Sequence, residues 1–507
     1  LEAENDPLWE DYLIAQAAAE AGSRVARECG DYPLLSGGDI NLYSLFVERA
    51  TSLIHPWGLI GLLCPSGIAA DKGAAKFFGG VSSTGRLVAL YDFENKKTFF
   101  PDIHASFKFC ALVFGGEART IPAARCAFYL HTLEEADDPS RTLHLAAQDF
   151  MAVNPNTGAA PIFRTRRDAD ITTAIYRRQP VLVDRRSEPA QRVWPVRYCT
   201  MFHMTNDSHL FKRRDELDAQ GWYPVDGNRL KKGTTEAVPL YEGKMVQMYD
   251  HRAANVVMNT DNLHRPAQQE ASTAAQHADP VFSPTPQFYI STSDMRQQNQ
   301  DRWVIAFKDV TAPTNVRTMI AAIVPFAAYG NTLPVLIPDE TTSNVEYARL
   351  SPSLLANFNS FALDFLARQK VQGQHLNWYI VEQLPMIRLE QFEQVLGKTK
   401  IADFVQEEVL RLSYTAHDLA PFARDMGYDG VPFVWDEDDR RHRTARLDAL
   451  FFHLYGLSHD DAAYILDQFP IVREQDEKAH GRYLTKELIL AYMNAVAAGD
   501  FTTVVKV

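Results

Sequence analysis

The chain has 507 residues, of which 46% are hydrophobic and 23% are charged, a composition typical of globular proteins. This length predicts about two to four domains, and the composition excludes collagen-like, coiled-coil and wholly disordered chains. With 51 Lys and Arg against 64 Asp and Glu, the net charge of −13 excludes a uniformly basic coat for nucleic acid, although a local basic patch is compatible with it.

Apolar spacing predicts the elements of the first 120 residues in turn. They are helices at 7–30 and 42–54, followed by strands at 59–64, 87–91 and 107–114. The apolar run at 59–64 follows a Pro/Gly break and predicts a buried strand. Helix, tight turn and buried strand form half of a βαβ unit. Residues 1–120 are therefore predicted to be the latter part of an α/β sheet domain.

The sequence changes character beyond residue 150. A turn is predicted at 154–158, a long loop or mobile insertion at 253–300, strands at 303–307 and 335–337, a helix at 352–369, and helices from 444 onward. Residues 161–200 hold nine arginines against four acids, whereas 401–440 hold ten acids against three arginines. We expect a mixed α/β region over 121–400 and a helical region over 401–507.

The five cysteines and the N-terminal segment favour a cytoplasmic protein. The cysteines are widely spaced and form no C-x-x-C pair, so neither a zinc site nor a disulfide framework is predicted. There is no run of about 18 apolar residues and no signal-peptide core, so we expect neither a membrane span nor secretion. The first residue is not methionine, and we expect the chain to be a processed or excised piece of a longer protein.

A series of short motifs gives a more specific signal than composition. It begins with Asn-Leu-Tyr-Ser-Leu-Phe at 41–46, continues with Pro-Trp-Gly at 56–58 and Cys-Pro-Ser-Gly at 64–67, and ends with Phe-Phe-Pro-Asp at 99–102. In this order and spacing the motifs resemble the second half of the catalytic domain of gamma-class adenine-N6 DNA methyltransferases. They are most similar to those of large type IIG restriction–modification and phage-defence proteins. Segments at 154–157, 163–168, 240–245 and 250–252 also resemble that family, so the resemblance covers nearly the whole chain.

The resemblance implies a Rossmann-like methyltransferase sheet followed by a DNA target-recognition region. It implies transfer of a methyl group from S-adenosylmethionine to an adenine amine at a specific site in double-stranded DNA. The family binds its cofactor on a glycine-rich loop and catalyses with an Asn-Pro-Pro-aromatic tetrapeptide, and this sequence contains neither. We therefore expect no catalytic residue here. We expect the missing motifs in an upstream half of the same polypeptide, and this chain to be inactive alone.

Three residues of the first domain have roles implied by the resemblance. A base that is methylated must leave the duplex, and the flipped adenine needs an aromatic ring to stack on. Phe100 matches the family position for this role, with Phe99 equally available beside it. Phe46 matches the position that flanks the adenine of the cofactor, but its place on the apolar face of the helix favours core packing alone. Lys108 is expected to neutralise a nearby phosphate.

The residues expected to contact DNA are mostly cations beyond residue 150, because such groups bind phosphates or read base edges. They are Arg164, Arg166, Arg167, Arg177, Arg178, Lys244, Arg252, Arg368, Lys370, Gln374 and His375. For any single member a solvated surface position is equally compatible with the sequence. The clustering of arginines within an acidic protein favours a DNA-contact role for the group.

Two other classes of function remain open. The chain could be a DNA-binding specificity module with no share in catalysis. Alternatively, Asp92, Glu94 and Lys96 could form a nuclease-type cluster in which carboxylates hold Mg²⁺ and lysine steers the water. That pattern is common by chance, and the two acids are predicted to follow the end of a strand, where they would be solvated. No other metal site is predicted.

Overall fold

The chain folds as a mixed α/β protein with several sheets and a helical C-terminal region, as the sequence predicts. The computed structural model describes residues 6–37, 40–257, 267–295, 302–371 and 373–507. The chain divides into two compact units, Leu1–Arg177 with Asp184–Pro189 and Arg178–Val183 with Ala190–Val507. The boundary predicted near residue 120 lies inside the first unit.

The first unit is built around one five-stranded sheet. Up to residue 178 the chain contains α1 (Pro7–Glu28), α2 (Leu42–Leu53), β1 (Leu59–Pro65), α3 (Gly67–Ala70), α4 (Ala75–Ser83), β2 (Leu87–Glu94), β3 (Lys108–Gly115), β4 (Ala124–Leu130), α5 (Leu133–Asp137), β5 (Leu143–Leu145), α6 (Ala147–Val153) and α7 (Arg166–Arg178). The strand order is β1-β3-β2-β4-β5. The predicted helices and strands of the first 120 residues are therefore present, with ends that differ by a few residues.

The directions of the strands determine where polar loops gather. β3 runs antiparallel to both of its neighbours, β1 and β2, while β2 and β4 are parallel. Consequently β1, β2 and β4 all point the same way and their carboxyl ends share one edge of the sheet. In open α/β sheets this edge is where ligand-binding residues are found.

One face of this sheet forms the core of the unit. Leu62 of β1 and Leu112 of β3 lie in a cluster that includes Phe78 of α4 and Phe150 of α6, whose rings lie 6.0 Å apart edge to face. β1 is an edge strand, and its Leu63 side chain is exposed on the other face. The prediction of a fully buried strand at 59–64 thus holds for one face only.

α2 also departs from its predicted packing. Its Val47 is buried in the core, whereas Leu42, Phe46 and Leu53 form an exposed stripe. Residues spaced by four and seven positions share one side of a helix, and here that side lies opposite Val47. The apolar spacing therefore identified the helix correctly but assigned the wrong apolar face to the core.

The second unit combines a four-stranded antiparallel sheet and a five-stranded mixed sheet with a helical C-terminal part. From residue 183 onward the chain contains β6 (Val183–Asp184), β7 (Gln191–Arg192), β8 (Val196–Cys199), α8 (Arg214–Ala219), β9 (Tyr223–Val225), β10 (Arg229–Lys232), β11 (Thr235–Tyr241), β12 (Ala254–Val257), β13 (Gln268–Ala271), α9 (Ala274–Ala278), β14 (Tyr289–Ser291), β15 (Val304–Phe307), β16 (Ala321–Val324), β17 (Ala328–Tyr329), β18 (Val335–Pro338), α10 (Asn344–Asn359), α11 (Phe361–Arg368), α12 (Trp378–Val381), α13 (Leu389–Phe392), β19 (Val395–Leu396), β20 (Thr399–Lys400), α14 (Ile401–Ser413), α15 (Ala420–Asp425), α16 (Glu437–Leu454), α17 (His459–Asp467), α18 (Pro470–His480) and α19 (Leu484–Ala497). The main sheet has the order β16-β15-β18-β8, and a second contains β14-β11-β10-β9 with β17 beside β11.

Two predictions in this unit need correction. The helix expected at 352–369 is two helices, because Ser360 ends α10 and its hydroxyl accepts a hydrogen bond from Leu363 N at 3.2 Å to cap α11. The polar stretch at 253–300 is not simply a loop, since it contains β12, β13, α9 and β14. Residues 258–266 and 296–301 of that stretch lie outside the described residues.

Within the described part of the chain, no helix has the length and apolar content that a membrane crossing requires.

Candidate functional site

The carboxyl edge of the first sheet carries a cluster of charged side chains. Asp92 and Glu94 lie within β2, on the same face, and both are buried. The expectation that they follow the strand end and are solvated is therefore wrong. The strand extends three residues further than its apolar run because each acid has a partner at this edge.

Those partners come from three neighbouring segments. Ser66 Oγ and the Tyr129 backbone N–H donate hydrogen bonds to the Asp92 carboxylate, the second at 3.3 Å. Burial raises the pKa of Asp92 against the opposing effects of the Lys108 charge and the Ser66 hydroxyl. The Asp92 carboxylate is thus bound within the protein at the end of β1 and β4.

Glu94 is bound by a lysine and a histidine side chain. Its carboxylate lies 2.8 Å from Lys96 Nζ and 3.0 Å from His131 Nε2. Burial alone would raise its pKa, but the hydrogen bonds and charges of these partners outweigh burial and lower it. Among the described residues, no group of three His, Cys, Asp or Glu side chains is placed to hold a metal ion.

Lys108 does not occupy the position expected of a phosphate contact. Its Nζ atom is shielded from solvent and lies 5.0 Å from the centre of the Tyr129 ring. Burial lowers the pKa of Lys108 against the nearby charges of Asp92 and Glu94. From this position the ammonium group cannot reach a DNA backbone, so the prediction for Lys108 is corrected. By contrast, Arg164 is exposed, with its guanidinium carbon 4.5 Å from the centre of the same Tyr129 ring.

The loop after β2 distinguishes Phe99 from Phe100. The Phe99 ring packs against Phe93 and Phe109 at centroid distances of 5.3 and 5.2 Å. Phe100 contacts Phe109 edge to face at 5.2 Å and remains 42% exposed. The sequence could not separate the two residues, but the structure packs the Phe99 ring, partly buried, against its neighbours and leaves the Phe100 ring more exposed. Phe100 is therefore the residue available to stack on a ligand.

Phe46 is also exposed, at 71% of its surface. The alternative that Phe46 belongs to the core is therefore wrong. Its ring lies on the exposed stripe of α2 with Leu42 and Leu53 and is accessible to a planar ligand. The role implied for it at the cofactor remains a prediction.

The arginines at the start of α7 are accessible. Arg166 and Arg177 line an open cleft of ≈ 280 Å³ together with His144 and Asp149. Arg166 also pairs with Asp170 at 3.4 Å, and both side chains are about two-thirds exposed. Exposed pairs of this kind contribute little to stability, so the arginine can exchange its partner for a phosphate. Arg167 is only partly exposed.

Most of the other expected DNA contacts are occupied within the protein. Arg252 is 0% exposed and donates to the carbonyl oxygens of Asp279, Phe282, His277 and Thr415 at 2.8 to 3.2 Å. Arg368 donates to Asn315 O and Val316 O, and Arg178 donates to Gly456 O at 2.7 Å. Lys244 pairs with Glu242 at 3.0 Å. Lys370 is buried, which lowers its pKa far below the usual range for lysine.

These positions correct the sequence prediction. Arg252 and Lys370 are inaccessible to DNA, while Arg178, Lys244 and Arg368 are held by internal partners. A run of basic residues in a sequence gives no sign of how many backbone carbonyls will surround each one. Whether a basic residue is held by internal partners or is accessible to DNA is therefore visible only in the fold.

Gln374 and His375 remain accessible in the second unit. The Gln374 carbonyl oxygen accepts a hydrogen bond from Thr311 N at 2.9 Å, so the segment pairs with its neighbour like a short strand. His375 Nδ1 lies 2.5 Å from Asp309 Oδ2, and its side chain is 55% exposed. Because Asp309 holds one ring nitrogen, the other is left to meet a ligand. Sequence reasoning identified His375 but missed Asp309, which lies 66 residues away.

Comparisons with known proteins give weak structural likenesses. No protein-family model matches the sequence, and no curated protein matches it. The structure is similar to that of the type IIL restriction–modification enzyme MmeI in complex with DNA, with a TM-score of 0.44 and 12% identity, covering 89% of this chain and 55% of that chain. It is also similar to the type IIG restriction endonuclease BpuSI, with a TM-score of 0.27 and 11% identity, covering 85% of this chain and 51% of that one.

A third likeness is to the ATP-dependent type ISP restriction–modification enzyme LlaBIII bound to DNA. Its TM-score is 0.31 with 8% identity, and it covers 80% of this chain and 26% of that chain. The present chain thus spans about half the length of the first two structures. All three TM-scores are low, so the argument for function rests on the residues of the chain itself.

Proposed function

We propose that this chain supplies the base-binding wall and the DNA-reading region of a site-specific adenine-N6 DNA methyltransferase. The observation that carries the proposal is the exposed Phe100 ring, held on a loop at the carboxyl edge of the first sheet. A flipped base needs such a ring, because stacking compensates part of the free energy lost when it leaves the duplex. The motif series from Asn41 to Asp102 supports adenine as the target.

The DNA would be held by exposed polar groups outside this loop. Arg164, Arg166 and Arg177 are accessible cations that can bind phosphates, and His375 with Gln374 can address base edges. Because the protein carries a net charge of −13, its attraction for DNA must come from such local groups. We therefore expect steep salt dependence of DNA binding.

The proposed methyl donor is S-adenosylmethionine. Phe46 fits one part of its site, since its exposed ring can stack on the adenine of the cofactor. The glycine-rich loop and the Asn-Pro-Pro-aromatic tetrapeptide that the reaction needs are not in this sequence. We propose that an upstream half of the same polypeptide supplies them, and that the cofactor supplies the methyl group there.

The proposal is tested by expressing the full-length polypeptide and this chain separately in a host that lacks DNA methylation. Sequencing that detects modified bases should find N6-methyladenine at one short motif with the full-length polypeptide and none with this chain. Holding the donor and the amine in line contributes about 7–11 kcal/mol of barrier reduction, which the chain alone cannot provide. Methylated cytosine, or methyl transfer by this chain alone, would contradict the proposal.

A second candidate is a specificity module that only binds DNA. It is favoured by one observation, the absence of both the cofactor loop and the catalytic tetrapeptide from the sequence. If the full-length polypeptide bound one DNA sequence selectively but never methylated it, this candidate would replace the first. Magnesium-dependent cleavage of DNA that requires Asp92 and Glu94 would instead indicate the nuclease alternative.

A further inference from the structure

Asn95 is the first residue after β2, and its side chain is fully buried. Its amide oxygen accepts a hydrogen bond from Phe100 N at 2.9 Å. Its amide nitrogen donates to Phe100 O at 2.8 Å and to Ile103 O at 3.0 Å. A carboxamide has two donors and one acceptor group, so the whole hydrogen-bonding capacity of this side chain is directed at the loop that carries Phe100.

The backbone of the loop shows why such a brace is needed. Hydrogen bonds from Asn95 N to Phe107 O and from Lys96 N to Ala105 O, both 2.8 Å, close the base of the loop. Between these bonds and Phe100 the chain passes through Lys96 and Lys97 with φ of 41° and 62°. Residues other than glycine are strained in that region unless their surroundings hold them. The amide of Asn95 lies where it can hold this path in place.

We infer that Asn95 is a positioning residue that fixes the backbone of Phe100 and so presents its ring for stacking. The part of this inference that concerns a base rests on the proposed function. The bracing of the loop is independent of it. A ring that is already held in place loses less conformational freedom when a base stacks on it, so bracing increases affinity.

The first experiment measures the bracing without DNA. 4-Fluorophenylalanine is placed at position 100 of the whole chain, and its ¹⁹F NMR spectrum is recorded for the unchanged chain and for Asn95→Asp. This substitution keeps the size of the side chain but replaces two donors with an acceptor that faces the carbonyl oxygens of Phe100 and Ile103. We expect the resonance to shift toward that of a freely rotating, solvated ring.

A matched control comes from the same loop. Asp102→Ala changes an exposed loop residue and should leave the fluorine resonance where it is. Thermal unfolding, measured in parallel, separates a local change from loss of the fold. If Asn95→Ala and Asn95→Asp both fold and leave the resonance unchanged, the bracing role is refuted.

The second experiment connects the brace to the base by a double-mutant cycle in the full-length methyltransferase. Kd is measured for a duplex carrying 2-aminopurine at the target position, with Asn95→Ala, Phe100→Ala and the double variant. Asn95→Ala should weaken binding about fivefold or more. In the Phe100→Ala background, Asn95→Ala should cause almost no further loss of affinity, because both residues act through the same contact with the base.

The outcomes separate the two proposals. Additive losses from Asn95 and Phe100 would refute positioning while leaving the base-binding role of Phe100 standing. A shifted fluorine resonance combined with no effect of Phe100→Ala on the duplex would contradict the proposed function while leaving the brace standing.

Discussion

Arginines near α7 and arginines inside the second unit differ in what their guanidinium groups bind. Arg166 lies on the surface and meets only Asp170, at 3.4 Å across exposed side chains. Arg252 is enclosed by backbone carbonyl oxygens from two separate segments, 277–282 and residue 415. Both residues are arginines, so charge alone does not distinguish them. The difference is that Arg166 can exchange its partner for a phosphate, whereas removing Arg252 leaves buried acceptors unpaired.

The first prediction concerns stability, where the largest difference between Arg252 and Arg166 is expected. Arg252→Gln should destabilise the second unit by about 4 kcal/mol or more, because each buried acceptor left without a donor costs about 1–3 kcal/mol. The measurement is the free energy of unfolding in denaturant. Arg166→Gln is the matched control and should change it by less than about 0.5 kcal/mol. If Arg252→Gln left stability intact and lowered only DNA affinity, Arg252 would have to be returned to the DNA-contact group.

The second prediction concerns a buried acid in the second unit. Asp448 accepts a hydrogen bond from Phe361 N at 2.7 Å, and burial raises its pKa to about 7. The folded protein therefore retains a proton that the unfolded chain, with a pKa near 3.8 at this group, has released. It follows that stability falls as the pH rises from about 4 through about 7.

The test is the free energy of unfolding of Asp448→Asn at pH 5 and pH 8. Asparagine keeps the acceptor for Phe361 N and cannot ionise. Between pH 5 and pH 8, ionisation of Asp448 should lower the free energy of unfolding of the unchanged chain by roughly 2–4 kcal/mol. This contribution should be absent from the variant. An identical pH dependence in both proteins would show that Asp448 is already ionised in the folded state.

The third prediction concerns the exposed arginines. Replacing Arg164, Arg166 and Arg177 together with alanine should weaken DNA binding by about tenfold or more. It should also make the negative slope of log affinity against log salt shallower by about 2.7. Unfolding should be almost unaffected. Arg349→Ala with Arg473→Ala removes exposed charges elsewhere and is the control. An unchanged salt slope in the triple variant would place the DNA contact on another surface.

The smallest expected effect separates base reading from phosphate binding. If the proposed function holds, His375→Ala should change which sequence the full-length polypeptide methylates, by about 1 kcal/mol of discrimination at one base pair. Asp309→Asn should cause a related change, since Asp309 holds the ring of His375. Sequencing of methylated adenines reports both. If the methylated motif is unchanged and only its extent falls, His375 positions the duplex and does not read it.

The sequence predicted the elements of this fold better than their surroundings. The helix at 42–54 and the strands at 59–64, 87–91 and 107–114 were predicted from apolar periodicity and turn residues, which act locally. Periodicity cannot tell which apolar stripe of α2 faces the core, because that depends on where β1 lies. For the same reason Asp92 and Glu94 were expected in solvent, since their partners Ser66 and His131 directly follow other strands of the sheet.

The candidate site was predictable only in part. Phe100 and His375 were identified by residue type and position, but the residues that orient them, Asn95 and Asp309, carry no mark in the sequence. Arg252 and Lys370 were expected at the DNA and are instead buried, and the Nζ atom of Lys108 is shielded from solvent. Charge is a property of a residue, whereas access to a ligand is a property of the fold.

The central claim is that Phe100 receives a flipped base, and one measurement tests it most directly. Kd is compared for the full-length polypeptide and its Phe100→Ala variant on two duplexes, one with adenine at the target position and one with an abasic site there. The account predicts that the substitution costs about 1–3 kcal/mol of binding on the intact duplex. On the abasic duplex the loss should be much smaller, because no base is present to stack. Equal losses on both duplexes would assign Phe100 to packing against Phe109 and contradict the account.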